Sequence, residues 1–267
     1  MTVHLETEGA VGAARAASVA PTVPTALLLD FDGTLCPVDI TAEMGPALGR
    51  DGWREELMAL RATGAGSRRA QERVLSYLPQ DLHTLLEFAL AHELDPAARP
   101  LIEAASATGW IVLVASDGLG FYVQRMLARA GIQAAARCAD LATDGERLRL
   151  VAPWASRGGD RCPDCTTCKL DAVADLHTAG RRVILVGDGR SDRIAAEDAD
   201  FVYARDLLAD HCATASLPFR QWHRLADVLA DLRRRGELPQ DATDDDGAPG
   251  FGRRGELPPH RLSWSEP

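Results

Sequence analysis

Three short apolar runs, Ala26 to Asp30, Trp110 to Ser116 and Arg182 to Asp188, each end at a polar turn that carries glycine. Near-continuous apolar runs of this length predict strands buried on both faces, as in a parallel sheet covered by helices. Helical patterning follows them at Phe121 to Ala130, Leu170 to Thr178 and Ser191 to Asp198. Strands alternating with helices predict a doubly wound α/β parallel sheet of the Rossmann kind, whose ligands bind beyond the carboxyl ends of the strands. All three polar turns fall at that edge.

The interval 41–98 shows no strand pattern and several helical stretches, Arg54 to Ala62, Arg68 to Leu78 and Leu82 to His92. It is expected to form a helical cap inserted after the first core strand, over a core built from 24–40 and 99–235. A second irregular stretch, Ala139 to Cys165, carries a hairpin signal at Asp144-Gly145, then Pro153 and Gly158-Gly159. Residues 1–23 read as a flexible tail. From Gly236 to 267 the chain is rich in Pro, Gly and Asp without apolar periodicity, so a mostly disordered tail is expected. That end holds RRGELP twice, at Arg234 to Pro239 and Arg253 to Pro258, too few and too short for a solenoid.

Composition changes the picture mainly by exclusion. With 267 residues, 46% hydrophobic and 25% charged, the chain has the material for one full-sized globular domain and an insertion. A formal net charge of -10 argues against a nucleic-acid partner, because phosphate backbones are held by clustered Lys and Arg. No window approaches the roughly 20 consecutive apolar residues of a membrane span, and Glu6, Glu8 and Arg15 interrupt any secretory signal. Cytoplasm is the expected compartment, no membrane partner is expected, and the pattern specifies no oligomeric state. The cysteines, Cys36, Cys138, Cys162, Cys165, Cys168 and Cys212, therefore read as reduced thiols or metal ligands.

The chemistry begins at the end of the first run. Side chains at i and i+2 of an extended segment point the same way, so Asp30 and Asp32 can both face a ligand at a strand tip. Hard divalent cations such as Mg²⁺ take such oxygen ligands, with substrate phosphate completing the shell. Asp, Gly and Thr would equally serve a plain polar turn. Three further groups follow in order: Ser116-Asp117-Gly118, Lys169 opening a helix, and Gly187-Asp188-Gly189 with Asp192. Singly, each is an ordinary turn or helix start; in this order after buried strands they read as one site.

These motifs resemble those of the haloacid dehalogenase superfamily, over roughly Ala26 to Leu232. Within it the chain is similar to the 2-hydroxy-3-keto-5-methylthiopentenyl-1-phosphate phosphatases of methionine salvage. That likeness rests on Ser116 with Phe121-Tyr122-Val123, on CTTCK at Cys165 to Lys169, and on Ala204-Arg205-Asp206-Leu207-Leu208. The resemblance implies a phosphatase acting on a small phosphorylated metabolite, with Asp30 as nucleophile and Asp32 as general acid and base. Catalysis of phosphoryl transfer is chiefly alignment and electrostatics. Mg²⁺ would be held by the Asp30 carboxylate, the Asp32 carbonyl and Asp188, with Asp192 a water-bridged ligand or a support. Ser116, the backbone N–H groups near Asp117 and Gly118, and Lys169 suit the phosphoryl oxygens.

Departures from the family pattern bear on substrate. Asp39 matches an acidic position, but Ile40 replaces the usual Asn, and Asp117 stands where many relatives have Gly. Arg205 and Asp206 read either as a salt bridge bracing the rim or as a helix cap. Arg54, Arg68, Arg69 and Arg73 read as a solvated face, with contact to substrate as the alternative. Cys162, Cys165 and Cys168 offer three of the four ligands of a structural zinc, the last to come from Cys138, His177, His211 or Cys212. Phosphoserine and sugar phosphates are the alternative substrates. A dehalogenase would need neither Asp32 nor Asp188; a phosphomutase would have to exclude water, and a non-catalytic phosphate-binding module would not need every catalytic position filled.

Overall fold

The first apolar run forms β1 (Thr25–Leu29), in which every side chain is buried. Its alternation divides the interior: Leu27 and Leu29 belong to one core cluster, Ala26 and Leu28 to the other. The computed structural model describes residues 23–240, apart from 144, 158, 160 and 163. The expectations for the amino-terminal tail, for the chain beyond 240 with the second RRGELP, and for Asp144 and Gly158 lie outside the described residues.

β1 is the centre of a sheet completed by β2 (Ile111–Leu119), β3 (Ala135–Thr143), β4 (Leu148–Val151), β5 (Arg182–Gly187), β6 (Phe201–Ala204) and β7 (Arg220–Gln221), in the order β4-β3-β2-β1-β5-β6-β7. All pairings are parallel except β3 with β4, the hairpin expected near Gly145. Leu28 lies opposite Leu113 of β2 on one side and Leu185 of β5 on the other. The polar turns after β1 and β5 therefore sit side by side.

Between β1 and β2 come α1 (Ile40–Leu48), α2 (Trp53–Ala62), α3 (Ser67–Leu75), α4 (Leu82–Leu90) and α5 (Ala98–Ala107). Asp39 caps α1 by accepting from the Ala42 N–H at 2.8 Å. Sequence periodicity overlooks α1, a short helix interrupted by Gly45 and Pro46. α6 (Gly120–Arg129) joins α5 on one face of the sheet; α7 (Lys169–Thr178), α8 (Arg193–Asp198) and α9 (Asp206–Thr214) cover the other. α10 (Leu225–Arg234) returns to the face of α5.

The expected disorder from Gly236 is corrected for residues 236–240. Leu238 is buried, and Glu237 pairs with Arg182 at 2.7 Å, so the chain packs on the core after α10. Periodicity fails there because a single apolar anchor and one ion pair leave no repeating pattern. No helix among the described residues is long and apolar enough to cross a membrane.

Leu28 lies fully buried between two strands under α7. Leu28→Ala should destabilise the protein by about 2–5 kcal/mol, read as a lower urea midpoint at unchanged m-value. A loss below about 1 kcal/mol would contradict this core.

Candidate active site

Asp30 follows β1 and is fixed at both ends. Its N–H donates to the Val186 carbonyl of β5 at 3.0 Å, and its Oδ1 accepts from the Phe31 N–H at 2.7 Å. The chain then turns at Gly33, whose φ of +76° is a conformation that side chains other than glycine's resist. A Cβ there would stand 2.2 Å from Asp188 Oδ2, so the glycine also admits the loop after β5. Thr34 closes the approach by donating to Asp188 Oδ1 at 2.7 Å. Two loops more than 150 residues apart in sequence are thereby joined at one sheet edge.

Lys169, the first residue of α7, reaches the same point from the helical layer that covers this face of the sheet. Its ammonium lies 2.6 Å from both Asp30 Oδ2 and Asp192 Oδ1, and it donates to Ser191 Oγ at 2.9 Å. Lys169 and Asp192 are almost wholly buried. Burial alone would lower the lysine's proton affinity, but Asp192, Asp30 and Asp117 together raise it, so it stays a cation. Asp192 also shapes the neighbouring loop: its Oδ2 accepts the N–H groups of Asp188 and Gly189 at 3.2 and 3.0 Å.

The donor atoms of Asp30, Asp188 and Asp192 lie within 4.8 Å of one another. Burial first, and the neighbouring carboxylates against the relief Lys169 provides, push the Asp30 acid well above its ordinary value. Burial, then Asp192, raise Asp188 to about 7. One lysine facing two buried carboxylates and a half-buried third leaves an excess of negative charge, and the donors are hard oxygens. The residues therefore fit a small divalent cation of the Mg²⁺ class.

Asp32 behaves differently from its expected partner. Its carboxylate does not join the acidic cluster: Oδ2 accepts from the Tyr122 and Thr41 hydroxyls and Oδ1 from the Ile40 N–H. Any role for Asp32 as a metal ligand is thus confined to its carbonyl, as the resemblance implied. Burial, reinforced by Asp39, pushes its acid up to about 8, so it carries a proton at neutral pH. Tyr122 and Thr41 are hydrogen-bond partners of Asp32 that residue spacing cannot reveal, because they sit 90 and 9 positions away on α6 and α1.

The turn at Ser116 to Gly118 lies beside Asp32, with Gly118 N–H donating to Ser116 Oγ at 3.0 Å. This leaves the Ser116 hydroxyl hydrogen available to a phosphoryl oxygen. The Asp117 side chain, by contrast with the backbone N–H groups expected to meet phosphate, is a docking group. It is half-buried, accepts from the Thr167 N–H at 2.9 Å, and is hydrogen-bonded by Ser67. Its carbonyl receives Gln71 of α3 at 2.6 Å, which ties the insertion to the phosphate turn.

Arg68 and Arg69 are also part of that contact, lying 3.1 and 3.6 Å from Asp164. Both remain partly solvated, Arg69 the more so, while their inner ends meet this carboxylate. Arg73 pairs with Glu56 inside the insertion, and Arg54 lies over the Trp53 ring. The segment carrying Asp164 contains a Cys162–Cys165 disulfide, where the sequence reading was of reduced thiols or metal ligands. Cys168 is free, its sulfur within 4.8 Å of the pair. With that bond closed the pair offers zinc no thiolate. Of the expected fourth ligands, His177 pairs with Asp200 and His211 with Glu197, while Cys138 and Cys212 are buried in β3 and α9.

A buried carboxylate just beyond the central strand, paired with a buried lysine and set apart from a second acid, fits a hydrolase that works on phosphoryl groups. The chain belongs to the haloacid dehalogenase-like hydrolase family, whose model matches residues 27–197, and within it is a phosphoric monoester hydrolase. The 2-hydroxy-3-keto-5-methylthiopentenyl-1-phosphate phosphatase of Geobacillus thermodenitrificans is 26% identical over 78% of this chain and 95% of its own. The Brevibacillus brevis protein of that name is 23% identical over the same shares. A phosphoserine phosphatase solved as a phospho-aspartyl intermediate analogue superposes with a TM-score of 0.59 at 17% identity, covering 78% of this chain and 98% of that one. The structural likeness establishes the shared fold.

Gly33→Ala should lower apparent Mg²⁺ affinity at least tenfold and stability by about 1–2 kcal/mol, seen in Mg²⁺ titrations of activity and in urea unfolding. Wild-type values for both would remove the steric argument. A second expectation concerns pH. Asp32 binds its proton more tightly folded, near 8, than unfolded, near 3.8, so its stabilising contribution is present in acid and lost as pH rises toward 8. The melting temperature of the metal-free protein should fall between pH 6 and 8.5, and Asp32→Asn should flatten that fall. A profile equally steep in the variant would assign the proton elsewhere.

Proposed function

We propose that this hydrolase is a Mg²⁺-dependent phosphatase working through a phosphorylated Asp30, and that its substrate is 2-hydroxy-3-keto-5-methylthiopentenyl-1-phosphate or a closely related metabolite. The chemistry rests on one observation: Asp30 is paired with a buried lysine, while Asp32 two residues on is held apart from that pair with its acid near 8. The substrate rests on the likeness to the named phosphatases, which extends over nearly their whole length.

An oxygen of the Asp30 carboxylate attacks phosphorus, the ester P–O bond breaks, and Asp32 gives its proton to the leaving oxygen. The Asp32 carboxylate then takes a proton from water, whose oxygen displaces Asp30 from phosphorus and releases inorganic phosphate. Tyr122 and Thr41 hold Asp32 in line for both transfers. Lys169 and Ser116 face the negative charge that spreads over the phosphoryl oxygens. Mg²⁺ would be held by Asp30, Asp188 and the Asp32 carbonyl, where it would neutralise charge between nucleophile and phosphate.

Asp30→Asn should reduce phosphate release at least about 10³-fold, and removal of divalent cations by a chelator should abolish it reversibly. Undiminished turnover in either case would overturn the mechanism. Among phosphate esters ranked by kcat/KM, the methylthiopentenyl phosphate should exceed phosphoserine and sugar phosphates by at least about tenfold, a difference of about 1.4 kcal/mol. Phosphoserine in first place would reassign the substrate and leave the chemistry intact.

A further inference from the structure

Arg205 lies between β6 and α9, outside the acidic cluster, yet its side chain spans to the loop after β1. One guanidinium nitrogen donates to the carbonyl of Gly33, and another donates to the His223 carbonyl at 3.2 Å. The guanidinium plane lies over the Trp222 ring at 4.4 Å. Trp222 is buried and donates from its indole Nε1 to the Gly187 carbonyl at 3.3 Å. The same segment is stitched to the β5 loop by its backbone: Arg205 N–H donates to Gly187 at 3.3 Å and Leu208 N–H to Asp188 at 2.9 Å.

The backbone is strained where this arrangement requires it. Asp206 takes a φ of +47°, a conformation that costs a residue with a side chain about 1–2 kcal/mol. Its side chain is largely exposed and lies 3.3 Å from Arg205 Nε. Of the two readings that sequence allowed, the ion pair is present, while Arg205 at the start of α9 makes no side-chain capping hydrogen bond. Neither accounts for the guanidinium, which runs inward to Gly33. Strain of this kind persists where surrounding contacts over-determine it, commonly beside a functional site.

We propose that Arg205 is a positioning residue for the cation site: it clamps the Gly33 turn against the loop bearing Asp188, with Trp222 as the platform beneath it. The Gly33 turn leaves no room for a Cβ against Asp188, and Thr34 beside it donates to that carboxylate, so a displacement of the turn would move a carboxylate that would hold the ion. The clamp needs a planar group that stacks and donates in two directions at once. Arginine supplies that geometry, and lysine, a point charge on a flexible stem, does not. The role rests on the Mg²⁺ reading above, and concerns the affinity for the ion, not the transfer of a proton.

The test measures the rise in melting temperature of the full chain with MgCl₂ and beryllium fluoride, and the Mg²⁺ concentration that gives half of it. Arg205→Ala and Arg205→Lys should each raise that midpoint at least fivefold, with kcat at saturating Mg²⁺ reduced less than threefold. A purely structural arginine would lower all melting temperatures and leave the midpoint unchanged. A midpoint shift smaller than fivefold in either variant, including full rescue by lysine, overturns the clamp. Should Arg205→Ala fail to fold, Arg205→Lys decides alone. If the wild-type protein itself shows no Mg²⁺-dependent rise, the Mg²⁺ reading fails and the clamp falls with it; a wild-type response with unshifted variants removes the clamp only.

Discussion

The site depends on one buried cation. Lys169 lies 2.6 Å from carboxylates belonging to the loop after β1 and the turn after β5, in a place nearly closed to water. Three acids in such a space would repel one another and take up protons; a single ammonium, held charged by them, keeps the cluster compact and leaves it short of positive charge. That residual deficit is what a divalent cation would meet. The lysine thus organises the site even before ligands enter, and Asp192 converts its position into the shape of the Asp188 loop through two backbone N–H groups.

The second constraint is separation of the two acids at Asp30 and Asp32. They share a strand tip, but Tyr122 and Thr41 draw the Asp32 carboxyl out of the acidic cluster. Desolvation without a nearby cation raises its acid to about 8, whereas at Asp30, whose acid burial also raises, Lys169 works against that rise. Two like side chains thus occupy different surroundings, one beside a cation and one without, which is how environment sets acid and base roles apart. The insertion contributes to this directly, because Thr41 and the Ile40 N–H belong to its first helix.

Farther out, the insertion is anchored to the core by carboxylates. Asp164 accepts the Gly66 N–H and lies against Arg68 and Arg69, while Asp117 takes Ser67 and Thr167. The Asp117 departure from glycine is explained by this contact: a side chain at that turn can bind what a glycine would leave to solvent. The docking segment is closed by the Cys162–Cys165 disulfide and continues straight into Lys169, so the anchorage of the helices and the position of the site cation share one short stretch of chain.

Sequence alone determined the frame. Apolar runs ending in acidic or glycine-bearing turns specify buried parallel strands, and parallel strands place all their ends at one edge, so Asp30, Ser116 and Asp188 had to be neighbours. The order of motifs was enough to name Lys169 as well. Tertiary structure alone decided the rest, because it depends on contacts between segments distant in sequence. Asp32 turning to Tyr122, Asp117 turning to the insertion, Arg205 reaching Gly33 and two cysteines joining are each matters of side-chain direction and proximity. Periodicity reports which face a residue occupies; it carries no information on which distant partner that face meets.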